Sequence, residues 1–419
     1  MRNGPNDSSR QCDGRWMRVT TTSFPAPDID GRAAPARRLL FVSSVTTGGS
    51  GRSQRELAMA VREQGRTVQF LVEDPNATGV RRRALSELAD ASVRFEGSRL
   101  GAHVQSLRRR IGSGTAALHV DGVEHHAAPA PEHAFEPLVR SWRPDVVVVS
   151  SISRVSWRAI RSVCRRRGLP TALYLREATA IGHLHAGLQP DLLLANSGSL
   201  VEDAERLGHV ASLVPSLVEV APMAQPPSGE VVLLVNPLPS HGLDVVGPLA
   251  AARPDIPFVL QESWTLDRPA RAAVDRLVRD HPNVTLRAFE PRPGRLFRDA
   301  RILLAPHRID NRPRTALEAQ ANGVPVVASG LPGLVEAVGD GGTLVDPDAG
   351  PDAWVRAISR LWDDERQWMA AGDRARMHAG RADVRPARVA ERFCELVDDL
   401  VRADAVDQKS SMSPSENRN

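Results

Sequence analysis

Two acidic residues on either side of a helix start are the part of this sequence best suited to chemistry. Asp310 and Glu318 stand eight positions apart, and the run RTALEAQAN after Pro313 consists largely of strong helix formers. Proline is tolerated at the first turn of a helix, because its missing N–H would have no partner there. We therefore predict a helix that opens at this proline and ends at Asn322-Gly323, a pair suited to a left-handed C-cap.

This helix start is suited to an anionic ligand. The free N–H groups and the dipole of a helix N-terminus attract an anion, and Glu318, one turn in, can accept hydrogen bonds from a vicinal diol such as a ribose. Arg312 and Arg314 favour a phosphate, since guanidinium groups bind phosphate oxygens in bidentate fashion. The alternatives are an ordinary surface carboxylate and solvated arginines in an Arg-rich chain.

The ordered set of residues from 306 to 347 resembles the donor-binding region of the family 4 glycosyltransferases, retaining enzymes of the GT-B fold. The shared elements are Asp310, Glu318-Ala319, Gly323, Pro325-Val326-Val327 and Gly333-Leu334-Val335-Glu336. The resemblance implies that Asp310 contacts the transferred sugar and that Glu318 binds the nucleotide ribose. It covers most of residues 37 to 400 and is densest from 284 to 347.

Together with this resemblance, the residue chemistry predicts a donor site in the second half of the chain. The candidate catalytic residues are Asp310 and Arg314. The candidate donor-binding residues are Glu318, Arg312, Thr315, His241, Gly333 and Leu334. The resemblance implies no bound metal and no cofactor, because the nucleoside-diphosphate-sugar is itself a substrate.

Several positions depart from the family pattern. Pro237 and His241 stand where many members have an Arg and a Lys that clamp the donor diphosphate. A neutral imidazole, with a reference pKa of ~6.5, is a poor substitute for lysine. Pro313 replaces a frequent glycine and removes one backbone donor. We therefore expect Arg312 or Arg314 to supply the missing positive charge.

A glycine loop is the first candidate on the acceptor side. Gly48, Gly49 and Ser50 follow the first predicted strand, and glycine lets a backbone approach a phosphate or a sugar closely. A tight turn between strand and helix is the alternative. The glycines do not form a GxGxxG pattern, which disfavours a dinucleotide-dependent oxidoreductase.

Two strand ends supply the other acceptor-side candidates. The histidine that often follows the fourth strand in the family is missing, and the segment SSISRVS leaves Ser150, Ser151 and Ser153 as polar candidates. The next predicted strand ends in LYLRE, so we expect Arg176 and Glu177 to lie in the cleft.

The elements that position these residues alternate between apolar strands and helical segments. This alternation predicts two doubly wound, Rossmann-like α/β domains with a ligand cleft between them. The predicted organisation is a disordered tail (1–36), an acceptor-binding domain (37–220), a Pro-rich linker (221–229), a nucleotide-sugar-binding domain (230–385), a C-terminal helix (386–402) and a disordered tail (403–419). Val389, Phe393, Leu396 and Leu400 form an apolar stripe on that helix, which in GT-B enzymes crosses back to the first domain.

Composition limits the protein class and the partners. The chain has 419 residues, a 42 % hydrophobic content and no long apolar run, which indicates two domains and no membrane span. No secretory signal precedes Arg37, and the three cysteines fit a reducing cytosol, so we expect a cytoplasmic protein. The net charge of +4 comes from an arginine-rich composition and does not indicate a nucleic-acid partner.

Two further segments have alternative interpretations. Residues 100–111 place an apolar stripe beside three arginines. Such a helix can lie on an anionic membrane at its inner face, or its stripe can face the protein core. His119, His125, His126 and His133 lack metal-ligand spacing, and we expect them in loops.

The preferred function is a retaining glycosyltransferase. It moves a sugar from a nucleoside-diphosphate-sugar donor to an acceptor hydroxyl or amine on a small molecule, polysaccharide or lipid-linked carrier. The alternatives are a catalytically silent glycosyltransferase-like subunit, favoured by the missing Arg/Lys pair, and a GT-B-fold sugar-nucleotide epimerase.

Overall fold

The structure is a computed structural model that describes residues 37–44, 48–74, 98–100, 104, 115–186, 189–218, 227–263, 266–290 and 293–412. The first domain contains the strands β1 (Arg38–Ser43), β2 (Thr67–Glu73), β3 (Ala116–Val120), β4 (Val123–Ala128), β5 (Val146–Ser150), β6 (Thr171–Leu175), β7 (Leu192–Ala195) and β8 (Ser212–Leu213). The second contains β9 (Val231–Val235), β10 (Phe258–Gln261), β11 (Val284–Arg287), β12 (Ala300–Ala305), β13 (Val326–Ser329) and β14 (Gly342–Val345).

The helices flank these strands. Those that follow strands of the first domain are α1 (Gly48–Glu63), α2 (Pro131–Trp142), α3 (Arg154–Arg167) and α4 (Gly198–Arg206). The later ones are α5 (Leu243–Ala252), α6 (Arg268–Asp280), α7 (Pro293–Leu296), α8 (Arg314–Ala321), α9 (Pro332–Val338), α10 (Pro351–Trp362), α11 (Glu365–Ala379) and α12 (Pro386–Met412).

Both sheets are doubly wound. The first has the strand order β3-β4-β2-β1-β5-β6-β7-β8 and the second has β11-β10-β9-β12-β13-β14. All the strand pairs are parallel except β3–β4. Central strands such as β5, with the sequence VVVVS, are buried along their whole length, as strands covered by helices on both faces must be. The predicted fold class is confirmed. Each sheet has a switch point, and in doubly wound folds ligands generally bind at the carboxyl ends of the strands beside it.

The β3–β4 hairpin corrects one prediction. Asp121 (φ 51°) and Gly122 (φ 72°) form its two-residue turn, and an Asp-Gly pair favours the positive φ angles that such a turn requires. His119 therefore lies on β3, and His125 and His126 lie on β4, whereas His133 lies in α2. The expectation that these histidines occupy loops was wrong, because the turn signal between the two strand segments was overlooked.

The last helix crosses back to the first domain, as predicted for this fold. Val389 and Phe393 are buried in the core of the first sheet, and the Phe393 ring lies 5.9 Å from that of Phe41. Leu396 and Leu400 pack against the same cluster. The apolar stripe of α12 therefore packs on the sheet of the first domain.

Element boundaries differ from expectation at two places. Helix α12 continues to Met412 instead of ending at residue 402, since Ala, Gln and Lys in ADAVDQK favour helix. Helix α1 begins at Gly48, so the expected glycine loop forms the first helical turn. The tail 1–36, most of segment 100–111 and linker residues 221–226 lie outside the described residues. Of the described helices, none combines the length and the apolar character that crossing a bilayer requires.

Candidate functional site

The loop after β12 meets the first turn of α9 at the carboxyl edge of the second sheet. Asp310 is half-buried, and its Oδ1 accepts a hydrogen bond from the Gly333 N–H at 2.7 Å. A Cβ at position 333 would lie 2.6 Å from the Asn311 carbonyl oxygen, so only glycine permits this close approach. The structure thus brings together the first acidic residue and the Gly-Leu loop, which are 23 positions apart in sequence.

Four charged residues form an interdomain ion-pair network between α1 and α8. Arg314 contacts Glu318 (Nε–Oε1 2.6 Å) and Glu56 of the first domain (Nη1–Oε2 2.5 Å). Arg52 completes the network with Glu56 (Nε–Oε1 2.9 Å) and Glu318 (Nη1–Oε1 3.4 Å). Two positive and two negative charges therefore balance one another across the domain boundary.

Arg314 uses all three guanidinium nitrogens, since its Nη2 donates to Glu56 Oε1 at 2.6 Å. Its Nη1 also donates to the Leu217 carbonyl oxygen at 3.1 Å. Burial disfavours the Arg314 cation, but Glu318 and Glu56 more than offset this effect and raise its pKa above the ordinary value. A donor phosphate can therefore reach Arg314 in this arrangement only by displacing a carboxylate. Its predicted phosphate-binding role, like the ribose role of Glu318, remains a prediction.

A second interdomain contact centres on Glu336. Its Oε2 accepts the N–H of Gly198, the first residue of α4, at 2.7 Å. Its Oε1 lies 3.1 Å from Nε of Arg312. Arg312 is only 4 % exposed, and its Nη1 is buried without a hydrogen-bond partner among the described residues. Glu336 was visible in the Gly-Leu-x-Glu motif, but nothing in the sequence indicated that it joins the two domains.

Arg176 lies on the first-domain side of the cleft, directly after β6. It is 9 % exposed; its Nη2 donates to Ser216 Oγ at 3.0 Å, and its Cζ lies 4.9 Å from the centre of the Tyr174 ring. Its Nε and Nη1 are buried without a hydrogen-bond partner in the described part of the chain. Burial lowers the pKa of Arg176, and Tyr174 opposes that effect. Glu177, the other candidate here, is exposed.

His241, one of the two residues expected in place of the family's cationic pair, stacks on His307. The rings of His241 and His307 lie 4.5 Å apart, at the carboxyl ends of β9 and β12. Nδ1 of His241 is 3.0 Å from the Asn236 carbonyl oxygen, which can only accept, so this nitrogen carries the proton. Burial lowers the pKa of His241, and burial together with His241 lowers that of His307 to about 4. Both rings are therefore neutral at pH 7, and His307 was missed in the sequence.

Serines line the carboxyl edge of the first sheet. Ser50 Oγ lies 2.9 Å from Ser151 Oγ, which lies 3.4 Å from Ser150 Oγ. Ser151 has a φ of 49°, which turns the chain sharply as it leaves β5. Ser153 instead caps α3 by accepting the Ser156 N–H at 3.1 Å. Of these three serine candidates, Ser151 therefore contacts the first turn of α1, and Ser150 contacts Ser151.

The remaining candidates have less direct positions. Thr315 is half-buried in the first turn of α8, and Gly49 is exposed in the first turn of α1. The Leu334 side chain is fully buried in the core of the second domain, so only its backbone can face a ligand. Within the described residues, no group of three or more His, Cys, Asp or Glu side chains is arranged to hold a metal ion.

Part of the second domain matches a known protein family. Residues 262–364 match the family model for glycosyl transferases group 1. The matched segment contains β11 through α10, including the Asp310 loop and α8.

Curated relatives align over a limited length. The chain is 37 % identical over 102 residues to the D-inositol 3-phosphate glycosyltransferase of Corynebacterium urealyticum, which covers 23 % of this chain and 24 % of the relative. With the protein of that name from Salinispora arenicola it shares 42 % identity over 86 residues, or 20 % and 19 % of the two chains. The chain thus spans about a quarter or less of the length of these relatives.

Solved structures match over nearly the whole fold. Sucrose-phosphate synthase from Thermosynechococcus elongatus has a TM-score of 0.68 at 16 % identity and covers 88 % of this chain and 100 % of its own. HepE of Anabaena, solved with UDP-glucose, has a TM-score of 0.64 at 13 % identity and covers 86 % and 99 %. At such identities the comparison concerns the fold, which these proteins share with both domains described above.

Proposed function

We propose that this chain is a family 4 glycosyltransferase of the GT-B fold, and that it transfers a sugar from a nucleoside-diphosphate-sugar to an acceptor hydroxyl or amine with retention of configuration. The observation that carries the proposal is the convergence of Asp310, Gly333 and the start of α8 at the carboxyl edge of the second sheet. This convergence lies inside the segment that matches the family model.

The donor side follows from the chemistry of this edge. The N–H groups of the first turn of α8 and the Arg312 guanidinium supply positive potential for a diphosphate. Such preorganised donors stabilise the charge that develops on the leaving diphosphate in the transition state. Asp310, held by the Gly333 N–H, would orient the hydroxyls of the transferred sugar. Glu318 would hold the ribose once the nucleotide displaces an arginine from its carboxylate.

The acceptor is assigned to the first domain. Ser50 at the start of α1 and Ser150 and Ser151 at the end of β5 offer hydroxyl groups. Arg176 adds a cation at the end of β6. The D-inositol 3-phosphate glycosyltransferases among the relatives suggest a small polar acceptor as the first class to test.

A catalytically silent relative is the second candidate. The interdomain ion-pair network favours it, because Arg314 and Glu318 are bound to each other and to the first domain. The neutral state of His241 at pH 7 favours it as well, since no cation replaces the family lysine at that position.

Calorimetric titration with UDP-, GDP-, TDP- and ADP-sugars tests the proposal, with Glu318→Gln as the control for a specific nucleotide site. We expect one donor to bind, and its sugar to be transferred to an acceptor with the anomeric configuration retained in the NMR spectrum of the product. Conversion of the bound sugar nucleotide without an acceptor would identify an epimerase. Binding without any turnover, or no binding, would identify the silent relative.

A further inference from the structure

The stacked pair of His241 and His307 is held in place by the backbone of two loops. A Cβ at Gly242, where φ is 75°, would collide with the Pro306 carbonyl oxygen, so only glycine permits the turn after β9 to approach the end of β12 this closely. This approach brings the two rings to 4.5 Å, with an interplanar angle of 16°. The stack is therefore a fixed feature of the second domain.

Each ring of the stack has one nitrogen that donates and one that is free to accept a proton. Nδ1 of His241 lies 3.0 Å from the Asn236 carbonyl oxygen, and Nδ1 of His307 lies 2.9 Å from Asn311 Oδ1. Both oxygens can only accept, so each Nδ1 carries the N–H and each Nε2 carries the lone pair. Neither Nε2 has a hydrogen-bond partner among the described residues. A proton can therefore bind at Nε2 without breaking an existing contact.

The stack adjoins the loop on which the proposed donor site depends. His307 contacts the Asn311 side chain, and the Asn311 carbonyl oxygen lies directly against Gly333. The Gly333 N–H in turn binds Asp310. A continuous run of contacts thus leads from His241 to Asp310 along the carboxyl edge of the second sheet.

The arginines near the start of α8 already have their charges offset. Three lie at or before this helix start, and each has a carboxylate partner. The pairs are Arg308 with Asp244, Arg312 with Glu336, and Arg314 with Glu318 and Glu56. A donor diphosphate brings negative charge that such balanced pairs do not neutralise. The stacked histidines can supply positive charge at this edge, because an imidazole that gains a proton at Nε2 becomes a cation.

The charged side chains on the neighbouring loops do not hold this proton in the free protein. Asp310 accepts the Gly333 N–H, Asp244 pairs with Arg308, and Asp346, after β14, is exposed. Burial is the largest influence on both stacked rings and lowers the pKa of each. A diphosphate within hydrogen-bond reach acts in the opposite sense, because a nearby negative charge favours the charged imidazolium.

We propose that His241 takes up one proton at Nε2 when the donor diphosphate binds, and that the resulting imidazolium binds the diphosphate. The proposal rests on the proposed glycosyl transfer for the identity of the ligand. His241 receives the proton because it is half-buried, whereas His307 is buried. His307 stays neutral, since two imidazolium rings 4.5 Å apart would repel each other. The proton comes from solvent and returns to it when the nucleotide leaves, so turnover consumes none.

Proton uptake makes donor affinity depend on pH. Wherever the complex holds one proton more than the free protein, affinity should weaken by up to about tenfold for each unit by which the pH rises. A fixed lysine or arginine at this place would give no such dependence between pH 6 and 8, because its charge does not change there.

Calorimetric titration of the wild-type protein measures the uptake directly. The probes are UDP-glucose, ADP-glucose and GDP-mannose, whose diphosphates are esterified at both ends and do not titrate near pH 7. Each is titrated at pH 7 in PIPES and in ACES, two buffers of different ionisation enthalpy. The difference in binding heat, divided by the difference in ionisation enthalpy, gives the number of protons bound. We expect uptake of about one proton for each donor molecule bound. This measurement needs no variant.

Three variants assign the proton to a residue. His241→Gln cannot be protonated, so it should show no uptake and bind the donor about tenfold more weakly at pH 7. His241→Lys carries its charge in advance, so it should show no uptake and a donor affinity that is constant between pH 6 and 8. His119→Gln, at an exposed position of β3, is the matched control and should keep the wild-type uptake and affinity.

The outcomes separate this inference from the proposed function. Donor binding with equal heats in the two buffers would overturn the proton uptake and leave the proposed function standing. Uptake that persists in His241→Gln would overturn the inference as well, because another group would then bind the proton. Failure of the wild-type protein to bind any of the three probes would overturn the proposed function, and this inference with it.

Discussion

Two of the contacts that hold this fold together have opposite character. Helix α12 lies on the first sheet through an apolar contact, in which Phe393 stacks near Phe41 in a buried cluster. Helices α1 and α8 meet through the interdomain ion-pair network, in which Arg314 joins Glu56. The apolar contact is non-directional, and a polar ligand cannot take the place of its buried side chains. In an ion pair, by contrast, a charged ligand can replace one of the two partners. The apolar contact is therefore suited to hold the domains together, and the polar contact to open when substrate binds.

Removal of α12 should have the largest effect. Truncation before Pro386 exposes the core face of the first sheet, so we expect loss of the folded state and of transfer. Phe393→Ala should lower the free energy of unfolding by about 3–5 kcal/mol, the usual cost of deleting a buried aromatic ring. Urea denaturation measures both changes, with Met377→Ala, a substitution of a 78 % exposed side chain, as the control. Normal melting and turnover of the truncated protein would contradict the bracing role of α12.

Arg314→Ala tests the polar contact. This change leaves Glu56 and Glu318 with Arg52 alone, and breaking a buried ion pair costs about 3–5 kcal/mol of unfolding free energy. If Arg314 also turns to the donor, the variant should bind UDP more weakly but uridine normally, because the lost bonds are to phosphate. Calorimetric titration of both ligands distinguishes these roles. Equal affinity losses for UDP and uridine would show that Arg314 acts only in the domain junction.

A substitution at the stacked histidines tests how much of the loss of stability in acid arises inside the second domain and not in the polar contact between the domains. The pKa of His307 is about 4 in the folded protein and ~6.5 when unfolded, so the unfolded state binds the proton more readily. Stability should be constant above pH 6.5 and fall by about 3 kcal/mol as the pH decreases to 4. His307→Gln should remove most of this dependence in urea denaturation, whereas His119→Gln, at an exposed position of β3, should not. An unchanged slope in His307→Gln would place the acid sensitivity elsewhere, for example in the ion-pair network.

Glu318→Gln should have the smallest effect of these variants. It tests most directly whether a residue of the interdomain ion-pair network also binds the nucleotide. Loss of a charge-assisted bond to the ribose should weaken nucleotide binding by about 1–3 kcal/mol. Glu56→Gln is the matched control, because it weakens the same network without changing the proposed ribose ligand. Similar nucleotide affinities in the two variants would dismiss the ribose role, as would unchanged affinity in Glu318→Gln.

Local sequence signals were sufficient for much of the fold. The Val-rich strands, the α8 start at Pro313 and the apolar stripe of α12 each follow from short-range propensity and periodicity. The β3–β4 hairpin was not predicted, although its Asp121-Gly122 turn is an equally local signal. Ser150 and Ser151 were polar candidates in the sequence, but the contact of Ser151 with Ser50 depends on the order of the strands in the sheet.

The sequence by itself determined which residues carry charge, because residue type fixes that. It also determined which strand ends they follow, because strands are recognised from near neighbours in sequence. It could not determine which of the cleft arginines remains without a partner. Arg314 meets Glu56 from 258 positions away, and Glu336 meets Gly198 from 138 positions away. Only the packing of the two domains decided these pairings, since a buried charge is satisfied by whatever the tertiary structure places within hydrogen-bond reach. For that reason Arg314, the strongest phosphate candidate in the sequence, joins the domains, and Arg176 and Arg312 keep the unused donors.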